Sequence, residues 1–160
     1  MDTQKMKLPK VDTEYLFYAE IKQQGDILTK DAFQNELLIS PTAGGFFEGE
    51  KLSGTVECVG AGYTLTRPPD RNDIQIKLLL KTDDGEGIFM SSEGTLLLDP
   101  ELERRLIAGE PVPAADYYYR FRLTFDTSSS KYSWLNGKCC FAIAGIKDWE
   151  TLCYEAYMIK

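Results

Sequence analysis

The stretch Pro41-Thr42-Ala43-Gly44-Gly45-Phe46-Phe47-Glu48-Gly49-Glu50-Lys51-Leu52-Ser53-Gly54-Thr55-Val56 decides the reading of the fold. It sets a proline, four glycines and two adjacent phenylalanines among a few polar residues. Gly44-Gly45 frees the backbone for positive φ or for close approach of another strand, because no Cβ stands in the way. Gly49 and Gly54 punctuate two extended runs, so the chain bends there instead of ending. The stretch reads as the corner of a small β-barrel.

On the N-terminal side, Thr13, Tyr15, Phe17, Ala19 and Ile21 alternate with Glu14, Leu16, Tyr18, Glu20 and Lys22. A period of two with one mostly apolar face is a strand. Gln23-Gln24-Gly25-Asp26 is turn chemistry. Lys30 to Asn35 reads as either loop or helical turn, and Leu37-Leu38-Ile39 as strand.

Beyond the corner, Gly60-Ala61-Gly62 is expected to end the run from Thr55 to Val59, and Tyr63 to Thr66 to form a short β segment. Arg67 to Asp73 reads as a loop, since its paired prolines remove donors and fix φ. Ile74, Ile76, Leu78 and Leu80 alternate with polar and apolar neighbours up to Asp84-Gly85, a hairpin signal whose turn needs positive φ. The Asp83-Asp84 pair is read as turn chemistry, not as a metal site or an acid/base dyad. Asp99 as cap, Pro100 at the first position, Glu101 in the first turn and Gly109 as terminator predict one helix over Pro100 to Ala108. Tyr117 to Phe125 is the clearest strand. Asn136-Gly137 is a second hairpin signal, before strands at Lys138 to Ile146 and Thr151 to Ile159. The expectation is a mainly β, single-domain antiparallel barrel of eight to ten strands over residues 11–160, with a flexible tail at residues 1–10.

Composition narrows the function. The 160 residues carry 25 acidic and 18 basic side chains, a net charge of -7, and no cluster of basic residues. Such a chain repels phosphate backbones and anionic lipid, so neither nucleic acid nor a membrane surface is an expected partner. The N-terminus has no apolar core of a signal peptide, and no apolar run approaches the ~20 residues of a membrane helix. There is no histidine, so Ser-His-Asp and Cys-His nucleophiles and any histidine general base are excluded. The four cysteines, Cys58, Cys139, Cys140 and Cys153, have no metal-ligand spacing. They read as free thiols of a cytoplasmic protein, and no metal or cofactor is expected.

Candidate site residues come from three places. Tyr118, Arg120 and Arg122 share one face of a strand and could line a cavity for an anionic or carbonyl-bearing ligand. The other parity points Tyr119, Phe121, Leu123 and Phe125 inward, because inner faces are usually apolar, and leaves both arginines in water. Glu48 beside Gly49 could act as a base if buried, or sit exposed at a bend. Trp134 and Asn136 could rim a pocket mouth, or serve as a packing anchor and a turn residue.

The run of signals resembles an uncharacterised bacterial and fungal family, domain of unknown function 3237. The matching residues are Pro41-Thr42-Ala43-Gly44-Gly45 with Glu48-Gly49, then Leu52-Ser53-Gly54. Gly60-Ala61, Thr82-Asp83-Asp84-Gly85, Tyr117-Tyr118-Tyr119-Arg120 and Tyr132-Ser133-Trp134-Leu135-Asn136 follow in the family's order. The resemblance implies a compact antiparallel β-barrel, calycin-like or allene-oxide-cyclase-like, and it draws Arg120 towards a binding role. Gly62 stands where the family usually has an Asp, and Gln75-Ile76-Lys77-Leu78 where it favours an acidic-small-Arg-Tyr pattern. Three functions stay open. The first is a barrel binding a small organic molecule in its interior or at its mouth. The second is an isomerase, cyclase or lyase using Glu48 or Glu57 with Tyr118 and Arg120. The third is an interaction module that pairs as a homodimer.

Overall fold

The computed structural model describes residues 5–160; the first four residues of the expected tail lie outside the described residues. Residues 5–12 have no regular secondary structure. Nine strands and one α-helix follow among the described residues. They are β1 (Thr13–Gln23), β2 (Ile27–Lys30), β3 (Glu36–Glu48), β4 (Ser53–Arg67), β5 (Arg71–Thr82), β6 (Gly87–Leu97), α1 (Pro100–Ile107), β7 (Tyr118–Asp126), β8 (Cys140–Asp148) and β9 (Thr151–Ile159). Every strand pairing is antiparallel. The sheet order is β1-β9-β8-β7-β6-β5-β4-β3-β2, and β1 also pairs with β3, so eight strands close into a barrel with β2 outside the ring.

The quoted stretch makes that closure. The first residues of β3, Glu36 to Ile39, pair with β2, whereas Thr42 to Glu48 pair with β1. The exchange of partners falls between Ile39 and Thr42, and the register against β4 shifts just beyond it, between Pro41 and Gly45. Gly44 and Gly45 hold φ of 97° and 153°. A Cβ at Gly45 would overlap the Glu20 carbonyl across the seam, and one at Gly49 would overlap the Leu16 carbonyl. The glycines therefore allow the final edge of the sheet to seal.

Two expectations about strand limits are corrected. The Gly60-Ala61-Gly62 run does not end a strand: β4 continues to Arg67, because the extra residues between Val56 and Gly60 are absorbed as a bulge with Gly60 at φ 93°. The paired prolines occupy only the turn from Pro68 to Asp70, and β5 begins at Arg71. The helix runs as expected, with the Asp99 carboxylate accepting from the Glu101 N–H at 2.8 Å.

Parity is settled by burial. Tyr119, Phe121, Leu123 and Phe125 face the interior of β7, while Tyr118 and Arg122 are exposed and Arg120 is half-buried. The interior is filled unevenly. Phe17 packs edge-on against Phe47 and Phe125 at centroid distances of 5.4 and 6.0 Å, towards the end where β1 begins and β7 finishes. The segment 127–139 closes that end, burying Tyr132 and Leu135. It is tied to the β5–β6 turn through Asp84, whose carboxylate accepts from the Tyr132 hydroxyl (2.9 Å), the Thr82 hydroxyl (2.5 Å) and Lys131 Nζ (2.5 Å). The opposite end stays open.

Candidate functional site

At the open end the ring of strand ends encloses a cavity of about 360 Å³. Each strand supplies one to three lining side chains, so the wall mixes chemistries. Leu38, Ile74, Leu96 and Leu152 give it an apolar body, and Ser40, Thr64, Thr66, Asn72 and Tyr119 give it hydroxyls and an amide. Asp26, Glu36, Glu103 of α1 and Asp148 stand around the entrance with Trp149, and among the described residues neither Lys nor Arg contributes to the lining. The ordinary limits of a small-molecule site, about 300–1,000 Å³ with apolar walls and a few placed polar groups, include this cavity. Its floor is an aromatic step. Tyr119 lies 5.0 Å from Phe121, which lies 5.0 Å from Tyr154. Burial raises the pKa of both Tyr119 and Tyr154, so both hold their protons and remain hydrogen-bond donors.

A second concavity, of about 870 Å³, lies on the outer wall across β4 to β8. Tyr118, Arg120 and Arg122 line it together, with Arg67, Arg71 and Tyr63. Arg67 and Arg71 both pair with Asp73, the latter at 2.8 Å. Burial pushes the Asp73 carboxyl up, but its two arginine hydrogen bonds outweigh this and its pKa is lowered. Arg122 pairs with Glu93 at 3.1 Å.

The remaining sequence candidates lie elsewhere. Glu48 is exposed at the last position of β3, at the closed end. Trp134 is half-buried in the closing segment, with Lys51 Nζ 5.3 Å from its ring centroid. Asn136 ties that segment together, accepting from the Thr127 N–H at 3.0 Å and donating to the Thr127 carbonyl at 2.8 Å. Neither Glu48 nor Glu57 lines the wall that carries Tyr118 and Arg120, so the carboxylate–Tyr–Arg set does not meet in one cavity. The cavity residues Ser40, Asn72, Tyr119 and Trp149 were not singled out from the sequence. The signal for Tyr119 was present in its inward parity; nothing local marked the others. Among the described residues, no group of His, Cys, Asp or Glu side chains could hold a metal ion, and no helix is long and apolar enough to cross a membrane.

Comparison with known proteins agrees with the architecture. A UPF0311 protein of Rhodopseudomonas palustris is 32% identical over 128 residues, covering 79% of this chain and 83% of that protein. The crystal structure of a conserved protein of unknown function from the same organism matches with a TM-score of 0.87 at 26% identity, over 96% of this chain and all of that one. A β-barrel-like protein of Acinetobacter baumannii matches with a TM-score of 0.81 at 29% identity, over 98% and 100% of the two chains. An enzyme from Penicillium herquei, 19% identical with a TM-score of 0.71 over 98% and 100%, shares the fold alone. The family model described as protein of unknown function (DUF3237) matches residues 11–159, and the chain belongs to that family.

Proposed function

We propose that this protein binds a small, uncharged or cationic organic molecule in the open mouth of its barrel. The observation that supports this reading most is the composition of the 360 Å³ cavity: apolar walls, a few hydroxyls and the amides of Gln23 and Asn72, and four carboxylates with neither Lys nor Arg in the lining among the described residues. An eight-stranded barrel has room for one small ligand where its interior is not filled, and here the aromatic packing stops at Tyr119. In this reading Asn72 and Tyr119, which line the cavity, orient a carbonyl or hydroxyl group of that ligand, and Trp149 covers it. The acidic entrance disfavours an anion and attracts an ammonium group. With four unpaired cysteines, the protein is suited to the reducing cytoplasm.

Titration with 2-naphthamide and with 2-naphthylmethylammonium, followed by amide NMR shifts, tests the reading. Both probes should move the resonances of Tyr119, Asn72 and Thr64, and Thr64→Phe, which fills the cavity, should abolish those shifts in a protein that still melts cooperatively. Unchanged binding to a folded Thr64→Phe protein overturns the reading.

A further inference from the structure

We infer that the outer groove of β4 to β8 is a second binding site, for a planar aromatic carboxylate. Among the described residues, four arginines, Arg67, Arg71, Arg120 and Arg122, share its lining with two carboxylates, Asp73 and Glu93. That local excess of positive charge stands on a chain whose net charge is -7. The groove therefore carries a charge opposite in sign to that of the whole chain, and it attracts anions that the barrel mouth repels.

Arg120 gives the site its specificity. Among the described residues no carboxylate pairs with it. One Nη1 hydrogen bond to the Tyr119 carbonyl, at 2.8 Å, and the Tyr118 ring, 5.0 Å below the guanidinium, fix its plane. A guanidinium has five N–H donors in a flat fork, so most of its donor capacity is left over while its orientation is held in advance. A carboxylate matches that fork with two parallel hydrogen bonds. Cross-strand register puts Thr95 beside Arg120 and Asp73 beside Thr95, so Arg120 is separated from the Arg67–Arg71–Asp73 cluster by one strand. Tyr63, Leu65 and Phe141 supply flat apolar walls around the arginines, which suit an aromatic ring better than a bare inorganic anion. A second copy of the chain is disfavoured as the occupant, because a two-fold contact through this groove sets arginines against arginines.

The experiment titrates the full chain with 2-naphthoate, 2-naphthamide, inorganic phosphate and hexaglutamate, following backbone amide and Arg Nε–Hε resonances with calorimetry in parallel. The expected result is that 2-naphthoate moves the Arg120, Arg122 and Tyr118 signals, binds there about tenfold or more tightly than the amide, and weakens as salt is raised. Arg120→Gln and, independently, Arg71→Gln should each reduce naphthoate affinity, the former by about tenfold, in proteins with unchanged melting cooperativity. Naphthoate shifts confined to Tyr119 and Asn72 overturn this inference and leave only the mouth as a binding site. Equal naphthoate affinity in a folded Arg120→Gln protein overturns it as well. Tighter binding of phosphate or hexaglutamate than of naphthoate overturns the aromatic carboxylate in favour of a plain anion or an acidic peptide.

Discussion

Gly45 of β3 lies directly opposite Ile21 of β1, with the Glu20 carbonyl occupying the space where a Gly45 side chain would begin. This contact is the seam of the barrel. Gly45→Ala must push β1 away, and it also sets an L side chain at φ 153°, a region that such residues rarely adopt. The substitution is expected to cost about 1–3 kcal/mol, read as a lowered urea midpoint, with intrinsic fluorescence and amide exchange showing the loosening between β1 and β3. A midpoint equal to that of the unaltered protein would mean that the seam tolerates a methyl group.

Asp84 makes acid stability depend on the closing segment. Its pKa lies far below the ordinary Asp value of 3.8, with the Lys131 hydrogen bond the largest cause, then those of Thr82 and Tyr132. A carboxylate with a depressed native pKa contributes stability that is complete above the unfolded value, and it is lost as pH falls through the native one. Asp84→Asn should therefore lower stability at neutral pH and flatten its decline below about pH 4. Parallel acid limbs for the two proteins, measured by urea unfolding at several pH values, would refute the link.

Tyr154 and Ser92 carry buried hydroxyl oxygens with no hydrogen-bond partner among the described residues. The two groups face each other closely enough for Ser92 to temper the rise in the Tyr154 pKa that burial causes, without reaching hydrogen-bond geometry. An unsatisfied buried hydroxyl is a cost to the fold, so Tyr154→Phe should leave stability unchanged or raise it by about 1 kcal/mol. A loss of that size in thermal unfolding would show that the phenol is bonded in solution.

Leu135, fully buried in the closing segment, should matter more than its larger neighbour Trp134, which is only partly buried, beside Lys51. Leu135→Ala is expected to cost about 2–5 kcal/mol. Trp134→Ala should fall below it, since the space left by the ring opens to solvent and no closed cavity remains. Denaturant midpoints of the two variants give the order directly.

Much of the barrel was legible because its determinants are local. Two-residue alternation marked β1, β5 and β7, a capped segment marked α1, and Gly44-Gly45 marked the corner, since φ preference and side-chain period act over a few neighbours. Strand ends were legible only in part. The Gly60 to Gly62 run resembles a terminator when read alone, and becomes a bulge because β5 continues the pairing on both sides of it. The two Gly-linked turns differ as well. Asp84-Gly85 lies within a tight connection between β5 and β6, whereas Asn136-Gly137 ends a long closing segment, and the loop around each, not the dipeptide, decides that.

The sites depended on tertiary structure almost entirely. Parity placed Tyr118, Arg120 and Arg122 on one side of β7, but which side faces water follows from closure of the whole ring, and closure needs partners more than a hundred residues apart, such as Phe17 and Ala156. Glu48, Trp134 and Asn136 resembled site residues by type, and the fold carries them to the closed end. The mouth is assembled the other way round. Ser40, Thr64, Asn72 and Tyr119 are unremarkable within their own strands, and they become a cavity because the strand ends of the whole ring meet around space that the phenylalanines below do not fill.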